Sequence, residues 1–524
     1  MTQDVYTLAV DLGTSGAKVA LVSMQGTVLG WESQEVSLLL TPDGGAEQVP
    51  LDWWNAIVSS TRRLMARGLV SPEAVTAICC STQGEGTVAV DRAGNALMNC
   101  ILWMDMRGAP YLRRRVKGRV NVSGYDAYKL SRWLQLTGGL PSLTGKDPSA
   151  HMLFIKEVYP EIYERTYKFL NVLDFINLRL CGRFVATVDS ILTSWVTDNR
   201  DPDHVHYDAT LLRYSGIDAD KFPEVVPCTE VLGHLTPEAA ENLGLPESVR
   251  VVAGSIDNTA SAVGSGAVDL YEPHLYIGTS SWITAHVPQK KTDIVSYLAS
   301  TPCAVPGRFL LTALQATAGG NLTFLKEKIL YHKDELLHEE NVPDVYKIMD
   351  RIAERVPAGS NGVLYTPWIW GERAPVDDRH LRAGLYNLSL NNNREDIIRA
   401  FLEGVAFNTR WLVEPVERFI GRPLQSINLA GGGGNSDVWC QIFADILNIP
   451  VRQVMEPIQA NARGAALIAA AGLGEIRFDD VPQLVKIRKT YEPQAQNRAL
   501  YDRLYAEFVT IYRQMRGTYH RLNR

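Results

Sequence analysis

The sequence has no long apolar run and no excess of basic residues. No stretch approaches the ~20 consecutive apolar residues that a membrane-spanning helix requires. The first residues, MTQDVYTLAVDLG, carry an acid where a secretory signal would carry positive charge. The formal net charge is -6 and no basic arm occurs, which argues against a nucleic-acid partner. We therefore expect a cytoplasmic protein that binds neither membrane nor nucleic acid.

Cysteine is sparse and scattered. The chain has 7 cysteines, an odd number, and no CxxC pair, so neither a disulfide framework nor a zinc site is expected. A Walker A loop is also missing, because no Gly-Lys-Ser/Thr follows the glycine-rich segment 430–436. Buried free thiols in a reducing compartment fit this pattern.

Length and an internal repeat indicate two domains. The 524 residues exceed the size at which one core stops growing. Residues 7–23 (TLAVDLGTSGAKVALVS) and 274–287 (HLYIGTSSWITAHV) each contain a β-rich run, Gly-Thr-Ser and a second β-rich run. This pattern predicts two hairpins that open two similar halves, with a cleft between the halves.

Strand and helix signals alternate in both halves, which predicts an α/β fold with mixed sheets. Apolar runs predict strands at 74–83, 86–91, 249–255 and 426–432. Amphipathic stretches predict helices at 51–68, 394–419, 436–448 and 497–522. We place the boundary before the strand at 249–255, which gives domains 1–248 and 249–524.

Three glycine-containing turns are candidates for binding phosphate. Glycine lets the backbone approach an anion closely, and successive N–H groups can surround it. The third turn follows a strand and opens a helix, whose N-terminus favours an anion. A plain tight turn is the alternative in each case. The residues are Gly13, Thr14, Ser15 and Lys18 in the first turn, Gly278 and Thr279 in the second, and Gly432, Gly433 and Asn435 in the third.

Two aspartates could carry the chemistry. Asp11 ends the first strand and could orient Mg²⁺, usually through water, because Mg²⁺ keeps much of its hydration shell. Asp257 lies between a buried strand and a helix. It could be an N-cap, or a general base that takes the proton from an attacking hydroxyl. The residues alone leave both roles open, and the two roles are compatible.

Seven motifs in a fixed order carry a family resemblance. They are DLGTSGAK (11–18), STQGEG (81–86), ILWMDMR (101–107), AGSIDN (253–258), IGTSSW (277–282), WGERAP (370–375) and LAGGGGNSDVWCQIFADIL (429–447). The chain resembles the FGGY family of carbohydrate kinases over roughly residues 5 to 515, and within it the xylulokinase-like branch. The resemblance implies two ribonuclease H-like domains, the fold of actin and hexokinase, with ATP, Mg²⁺ and a sugar bound in the cleft between them.

The resemblance also implies roles for single residues. Asp257 is expected to be the catalytic base and Asp11 to position the metal. The first two turns are expected to contact the β- and γ-phosphates. The nucleotide is expected to be lined by Gly319, Gly320, Gly432, Gly433 and Asn435. The sugar is expected to be surrounded by Gln83, Glu85, Trp103, Asp105, Arg107 and Asn258.

Departures from the xylulokinase pattern fall on the sugar side. They are Gly84, Glu85, Met104, Met106 and His151. Phosphorylation of D-xylulose to D-xylulose 5-phosphate is the best single hypothesis, with erythritol, ribulose and gluconate as alternative substrates. An actin- or chaperone-like ATPase and a sugar sensor without catalysis are the competing classes. A homodimer is a family-level expectation.

Overall fold

A computed structural model describes residues 5–330 and 344–523. The first large sheet consists of β1 (Tyr6–Gly13), β2 (Gly16–Ser23), β3 (Val28–Glu35), β4 (Val75–Thr82), β5 (Val231–His234) and β6 (Arg250–Ile256). Its strand order is β5-β6-β4-β1-β2-β3. Strands β1 to β3 are an antiparallel meander, whereas β4 and β6 run parallel to β1.

The second large sheet has eight strands. They are β7 (Pro273–Ile277), β8 (Ser281–Val287), β9 (Thr292–Asp293), β10 (Leu298–Pro302), β11 (Phe309–Gln315), β12 (Ile427–Ala430), β13 (Val451–Val454) and β14 (Ile487–Tyr491). The strand order is β9-β10-β11-β8-β7-β12-β13-β14. Here β7, β8 and β11 are antiparallel, and β12 and β13 run parallel to β7.

The two sheets repeat one topology. The order β3-β2-β1-β4-β6 in the first corresponds to β11-β8-β7-β12-β13 in the second, and each carries an antiparallel strand beyond the fifth. Both Gly-Thr-Ser segments form the hairpin turns between the first two strands of their sheets. The prediction of an α/β protein with two ribonuclease H-like domains is confirmed.

The predicted domain boundary at 248/249 is wrong. Strand β6, which we assigned to the second domain, is the fifth strand of the first sheet and pairs in parallel with β4. A strand buried on both faces is a continuous apolar run, and such a run carries no sign of the sheet that it joins. The sheets divide between Gly264, where the helix after β6 ends, and Pro273, where β7 begins.

Seven helices of the described chain pack on the large sheets or on one another. They are α1 (Pro50–Ala66), α2 (Val172–Cys181), α3 (Asp257–Gly264), α4 (Arg394–Ile420), α5 (Asp437–Leu447), α6 (Ala460–Gly472) and α7 (Arg498–Leu522). The longest, α4, begins after Asn393, whose side chain accepts hydrogen bonds from two N–H groups of the first turn. It ends at Gly421, in the left-handed conformation that glycine adopts easily. No helix of the described residues is long and apolar enough to cross a membrane.

Smaller elements complete the two domains. The region 109–222 of the first domain has its own apolar cluster, built around residues such as Trp133 and Phe169. The remaining helices include Ala109–Val116, Ala127–Leu136, Pro148–Val158, Pro160–Arg165, Ala209–Ser215, Pro237–Leu243, Gly319–Phe324, Val345–Arg355 and Val481–Leu484. The remaining strands include Leu39–Leu40, Ala46–Gln48, Val88–Val90, Cys100–Ile101, Asn121–Val122, Tyr125–Asp126, Lys168–Leu170, Val185–Thr187, Thr197–Asp198, His206–Tyr207, Glu224–Val226, Leu364–Thr366 and Gly384–Tyr386.

Helices α3 and α6 cross between the domains at two glycines. A Cβ on Gly264 would lie 1.8 Å from the carbonyl oxygen of Ala460, and a Cβ on Gly464 would lie 1.8 Å from that of Ala260. The backbones therefore touch directly, as only small residues permit. Helix α6 also packs against β1 and β4, so an element of the second domain covers the sheet of the first.

Replacement of Gly464 by alanine tests this crossing. Because the new Cβ would meet a backbone carbonyl, the helices must separate, and we expect the unfolding free energy to fall by about 1–3 kcal/mol. The change is measured by urea unfolding. Gly517 inside α7 is the control, since the nearest atom to its Cβ position is 3.5 Å away on a flexible arginine. There alanine should be neutral or stabilising by about 0.5–1 kcal/mol. Equal effects at both positions would contradict a tight crossing.

Candidate functional site

Asp257 is the first residue of α3, directly after β6. The strand has an irregular register between Val252 and Ser255, where Gly254 has a φ of +77° and packs against the carbonyl of Cys80. Such a bulge bends a strand and re-aims the residues that follow it. Burial raises the pKa of Asp257 to about 7, and the nearby charge of Asp11 adds to the rise. The carboxyl is thus close to its titration point at neutral pH.

Asp11, on β1, is held by groups from both domains. Lys18 Nζ lies 3.2 Å from its carboxylate, and Asn461 Nδ2, from the second domain, donates to it over 3.1 Å. Lys18 also donates to the carbonyl oxygen of Ile458 over 3.0 Å. We predicted Lys18 as a nucleotide contact, but in this structure its ammonium joins Asp11 to the second domain.

The two aspartates have the features of a Mg²⁺ site that phosphate completes. Within residues 5–330 and 344–523, no group of three His, Cys, Asp or Glu side chains could hold a metal ion without help. Asp11 and Asp257 are close enough for the charge of Asp11 to raise the pKa of Asp257, and a divalent cation would offset that repulsion. Mg²⁺ is commonly held by one or two carboxylates together with substrate phosphates and water. The residues present therefore fit this ion.

The three predicted phosphate turns differ in how much space surrounds their glycines. A Cβ on Gly13 would meet no atom within 4 Å. In the second domain, Gly319 N–H donates to the carbonyl of Gly278 over 2.8 Å, and Gly320 N–H donates to that of Thr279 over 3.1 Å. The second turn and the start of the helix at 319 are thus one unit.

The third turn lies beside this unit. Gly433 is packed against Ile277, the residue before Gly278, where a Cβ would stand 2.3 Å from the side chain. Gly432 and Asn435 are exposed, and a Cβ on Gly432 would meet nothing within 4 Å. The structure therefore brings the predicted nucleotide residues of the second domain together, with Gly432 and Asn435 accessible and Gly433 in a packing position.

A polar network joins the first turn to the predicted sugar residues. Thr14 Oγ1 donates to Gln83 Oε1 over 2.7 Å and accepts from Trp103 Nε1 over 3.1 Å. Gln48, which we did not predict, accepts from Gln83 over 2.9 Å and donates to the carbonyl of Thr14 over 2.8 Å. Thr14 thus contacts sugar-side residues through its hydroxyl, whereas Ser15 is exposed.

Asp105 and Arg107 form an internal ion pair. Asp105 is fully buried, and its carboxylate accepts from Arg107 Nη2 over 2.7 Å and from the N–H of Ala46 over 3.0 Å. Arg107 also binds Glu47 and stacks on Phe154. Asp105 is thus fully engaged within the first domain, and its contact with the sugar stays a prediction. The pair holds the loop that carries Trp103.

Mixed charges lie at the sugar end of the cleft. Glu85 has a φ of +62° and is half-buried. Burial raises the pKa of Glu85, while the charges of Arg373 and Lys146 oppose the rise. Burial lowers the pKa of Lys146 to about 8, and the charge of Arg373 acts in the same direction. Arg373 belongs to the second domain, and its guanidinium lies 5.8 Å from the centre of the Trp103 ring.

Some departures from the xylulokinase pattern are outside this pocket. His151 is fully buried and its Nδ1 lies 3.1 Å from Thr87 Oγ1. Burial lowers the pKa of His151 to about 4, so the ring is neutral and structural. Met106 is exposed. Asn258 follows Asp257, and its Oδ1 accepts from the next N–H, so its role toward a sugar stays a prediction.

Two residues of the second domain near the aspartates, Asn461 and Tyr276, were missed. Asn461 is the second residue of α6 and contacts Asp11, as described above. The ring of Tyr276 stacks on Trp282 with centroids 4.3 Å apart and packs beneath Gly278. Burial and the charges of Asp11 and Asp257 raise the pKa of Tyr276. A possible signal was its position just before the second Gly-Thr-Ser segment. Asn461 gave no signal, because only the helix crossing brings it to β1.

Comparison with known proteins agrees with this geometry. Sequence profiles of the FGGY family of carbohydrate kinases match twice, the N-terminal domain over residues 6–264 and the C-terminal domain over residues 275–473. The xylulose kinase of Bacillus subtilis (strain 168) is 28% identical over 97% of this chain and 96% of its own length. The gluconokinase of Bacillus licheniformis is 27% identical over 98% and 97%. The crystal structure of xylulose kinase from Rhodospirillum rubrum aligns with a TM-score of 0.78 at 27% identity, covering 98% of this chain and 100% of that chain.

Fold and site together define a two-domain sugar kinase with the architecture of the actin and hexokinase ATPases. The chain belongs to the FGGY family of carbohydrate kinases, whose members use ATP. The relatives are named for different substrates, xylulose and gluconate.

The raised pKa of Asp257 predicts a pH-dependent stability. Its folded-state pKa of about 7 exceeds the unfolded value of 3.8, so its contribution is full below about pH 4 and is lost as pH rises through 7. Asn cannot ionise. Without nucleotide or Mg²⁺, we expect Asp257→Asn to be more stable than wild type at pH 8 by about 2–4 kcal/mol, with the gap closing by pH 4. Urea unfolding at several pH values measures this, and exposed Asp220→Asn is the charge-matched control. A gap that does not depend on pH would contradict the assignment.

Proposed function

We propose that this kinase transfers the γ-phosphoryl group of MgATP to one hydroxyl of a small sugar, with Asp257 as the general base. The carboxylate takes the proton of the attacking hydroxyl as the oxygen approaches phosphorus. Phosphoryl transfer needs positioning, charge neutralisation and one base, with little covalent chemistry by the protein. A pKa near the working pH suits a group that must accept and then release a proton.

One observation supports this proposal above the others. Asp257 directly follows Ile256, which faces Gly84 at the sugar end, and the charges of Asp11, at the phosphate end, and of Glu85 both raise its pKa. An ATPase that only drives partner binding needs no acid aimed at a sugar hydroxyl. A sensor without catalysis needs no base with a raised pKa. Both alternatives are therefore less consistent with this placement.

The remaining roles follow from position. Asp11 would hold Mg²⁺ together with the phosphates, and the ion would neutralise charge that develops on the transferred group. The open backbone at Gly13, the unit at Gly278 and Gly319, and exposed Gly432 and Asn435 would surround the nucleotide. Gln83 and Trp103 would face the sugar, held by Thr14.

D-Xylulose remains the best single substrate in this proposal. The relative named xylulose kinase supports it, while the relative named gluconokinase keeps a hexonate open. We also propose a cytoplasmic location, since ATP is available there and all seven cysteines are free thiols. A homodimer stays a prediction.

A coupled ADP-release assay tests the function. MgATP is supplied with a panel of pentuloses, pentitols, tetritols and hexonates, and we expect one strong responder. With that substrate, Asp257→Asn should lower kcat by about 10²–10⁴-fold, because the hydroxyl loses its base. Asp220→Asn, an exposed carboxylate outside the cleft, should retain the wild-type kcat.

Two results would contradict the proposal. Sugar-independent ADP release at a steady rate would favour the ATPase class. A folded Asp257→Asn variant with near wild-type kcat would show that the base lies elsewhere.

A further inference from the structure

The end of strand β6 is held by a buried carboxylate. Along the edge of β6 that faces β5, the N–H of Gly254 donates to the carbonyl of Cys228 over 2.9 Å. Two residues further on, the N–H of Ile256 donates to Asp189 Oδ2 over 3.1 Å. Ile256 is the last residue of the strand and directly precedes Asp257. A side chain therefore makes the last hydrogen bond of this edge before the proposed base.

The fold of the first domain places Asp189 at this position. Asp189 follows a short strand, Val185–Thr187, which pairs in parallel with Glu224–Val226. The N–H of Val188 extends the pairing, since it donates to the carbonyl of Val226 over 3.0 Å. Only 2% of the surface of Asp189 is exposed. The contact with β6 thus comes from a buried residue at the carboxyl end of a strand.

The turn that carries Asp189 is itself fixed. Thr187 Oγ1 donates to Asp189 Oδ1 over 2.7 Å, and Ser190 Oγ donates to Asp174 Oδ1 over 2.8 Å. Asp174 lies in the first turn of α2, where it also accepts from the N–H of Asn171 over 3.0 Å. One oxygen of Asp189 is therefore bound by its own turn, and the other is bound to β6.

The bond to β6 follows an irregular part of the strand. The register of β6 against β4 shifts between Val252 and Ser255, and Gly254 has a φ of +77°. A bulge bends a strand and changes the direction of the residues after it. The contacts made after the bulge therefore decide where Asp257 points, and the bond from Ile256 is the nearest of them along the chain.

The same carboxylate also lies at the start of helix α3. Ile256 is the residue before the first turn of α3, and its side chain makes no capping hydrogen bond. A carboxylate that accepts from its N–H brings negative charge to the N-terminus of the helix. Such a charge is stabilising there, because the helix dipole is positive at this end. Asp189 thus binds both the end of β6 and the beginning of α3.

Electrostatics agrees with this placement. Burial raises the pKa of Asp189, and side-chain hydrogen bonds from Thr187 and Thr259 oppose the rise. Thr259 is the third residue of α3. Burial and the charge of Asp11 raise the pKa of Asp257, and the charge of Asp189 adds to that rise. The two carboxyl groups are therefore neighbours, and each belongs to the end of a strand.

We propose that Asp189 is a positioning residue for phosphoryl transfer, whose carboxylate fixes the junction of β6 and α3 and thereby aims Asp257 at the attacking hydroxyl. The inference rests on the proposed function, in which Asp257 is the general base. Both oxygens of Asp189 bind protein groups, so it acts through the backbone. Its loss should therefore change the orientation of the base and leave the affinity for both substrates intact.

Steady-state kinetics of the full chain tests this proposal, with MgATP and the strongest responder of the substrate panel. Asp189→Ala removes the acceptor of the Ile256 N–H. We expect kcat to fall by about 10–100-fold, as a small displacement of a reacting group does, with changes of less than about 3-fold in the KM for sugar and for ATP.

A conservative variant separates the hydrogen bond from the volume of the side chain. Asp189→Asn keeps an oxygen for the Ile256 N–H, and its amide can donate to the Thr187 hydroxyl. It should restore most of the lost kcat. Thr187→Val is a milder change that removes only the bond to Asp189 Oδ1 from the carboxylate. It should lower kcat less than Asp189→Ala does, again with little change in either KM.

Asp174→Ala is the matched control. Asp174 is also a buried aspartate and binds the same turn through Ser190, but among the described residues it makes no hydrogen bond to β6. We expect its urea midpoint to fall at least as far as that of Asp189→Ala, while its kcat stays close to wild type. A general loss of stability is thereby separated from a loss of positioning.

Backbone hydrogen exchange gives a second measurement that needs no turnover. In the protein without substrates, Asp189→Ala should speed exchange in a peptide that covers residues 253–258. Asp189→Asn and Asp174→Ala should leave exchange in that peptide close to wild type.

Two results would overturn the inference. One is a folded Asp189→Ala variant with near wild-type kcat while Asp257→Asn is inactive. The other is an equal loss of kcat in Asp174→Ala and Asp189→Ala. A near wild-type kcat in Asp257→Asn would refute the proposed base itself, and the positioning role with it.

Discussion

The direct contact between helices α3 and α6 is the constraint on which the site depends. Gly264 and Gly464 have no side chains, so each helix meets a carbonyl of the other. Asp257 begins α3 and Asn461 is the second residue of α6. The C-terminal end of α3 meets the N-terminal end of α6 at this crossing, and Asn461, beside that contact, reaches the carboxylate of Asp11. The relative position of both aspartates is therefore set by packing outside the cleft.

Buried polar contacts reinforce the crossing from both sides. Arg463 of α6 donates to the carbonyl of Gly26 in the first domain over 3.2 Å and to that of Gly264 over 3.2 Å. Ser261 of α3 contacts His274 Nε2 over 3.0 Å and accepts from Trp282 Nε1 over 3.2 Å, both from the second sheet. Burial lowers the pKa of His274 to about 3, so the ring stays neutral. Each interdomain helix is thus tied to the other domain by hydrogen bonds that do not titrate near neutral pH.

Local patterns predicted the parts of the fold that are set by local chemistry. The two hairpins, helix α4 and helix α7 follow from apolar periodicity and small turn residues. The predicted domain boundary was wrong at β6, because strands distant in sequence decide which of the two sheets this strand joins. Asp257 was found from its place between strand and helix. Asn461 and Gln48 were not predicted, because the role of an amide side chain depends on the groups that it contacts in the folded chain.

The site residues also show why a motif cannot separate a binding charge from a structural one. Asp105 and Glu372 lie in conspicuous segments, yet both are buried and fully engaged with backbone or neighbouring side chains. Lys146 lies in a segment that carried no motif, and its ammonium is free of partners among the described residues. Pairing depends on distances that only the folded chain defines.

The phosphate end and the sugar end of the cleft are held by different parts of the structure. The groups proposed for phosphoryl transfer are held by the helix crossing and by glycine turns, which any substrate would share. At the sugar end, Glu85 of the first domain and Arg373 of the second are carried by loops. Relatives that are named for xylulose and for gluconate share nearly the whole length of this chain. The helix crossing and the glycine turns can stay the same while side chains at the sugar end differ. Such an arrangement allows one fold to be used for different sugars.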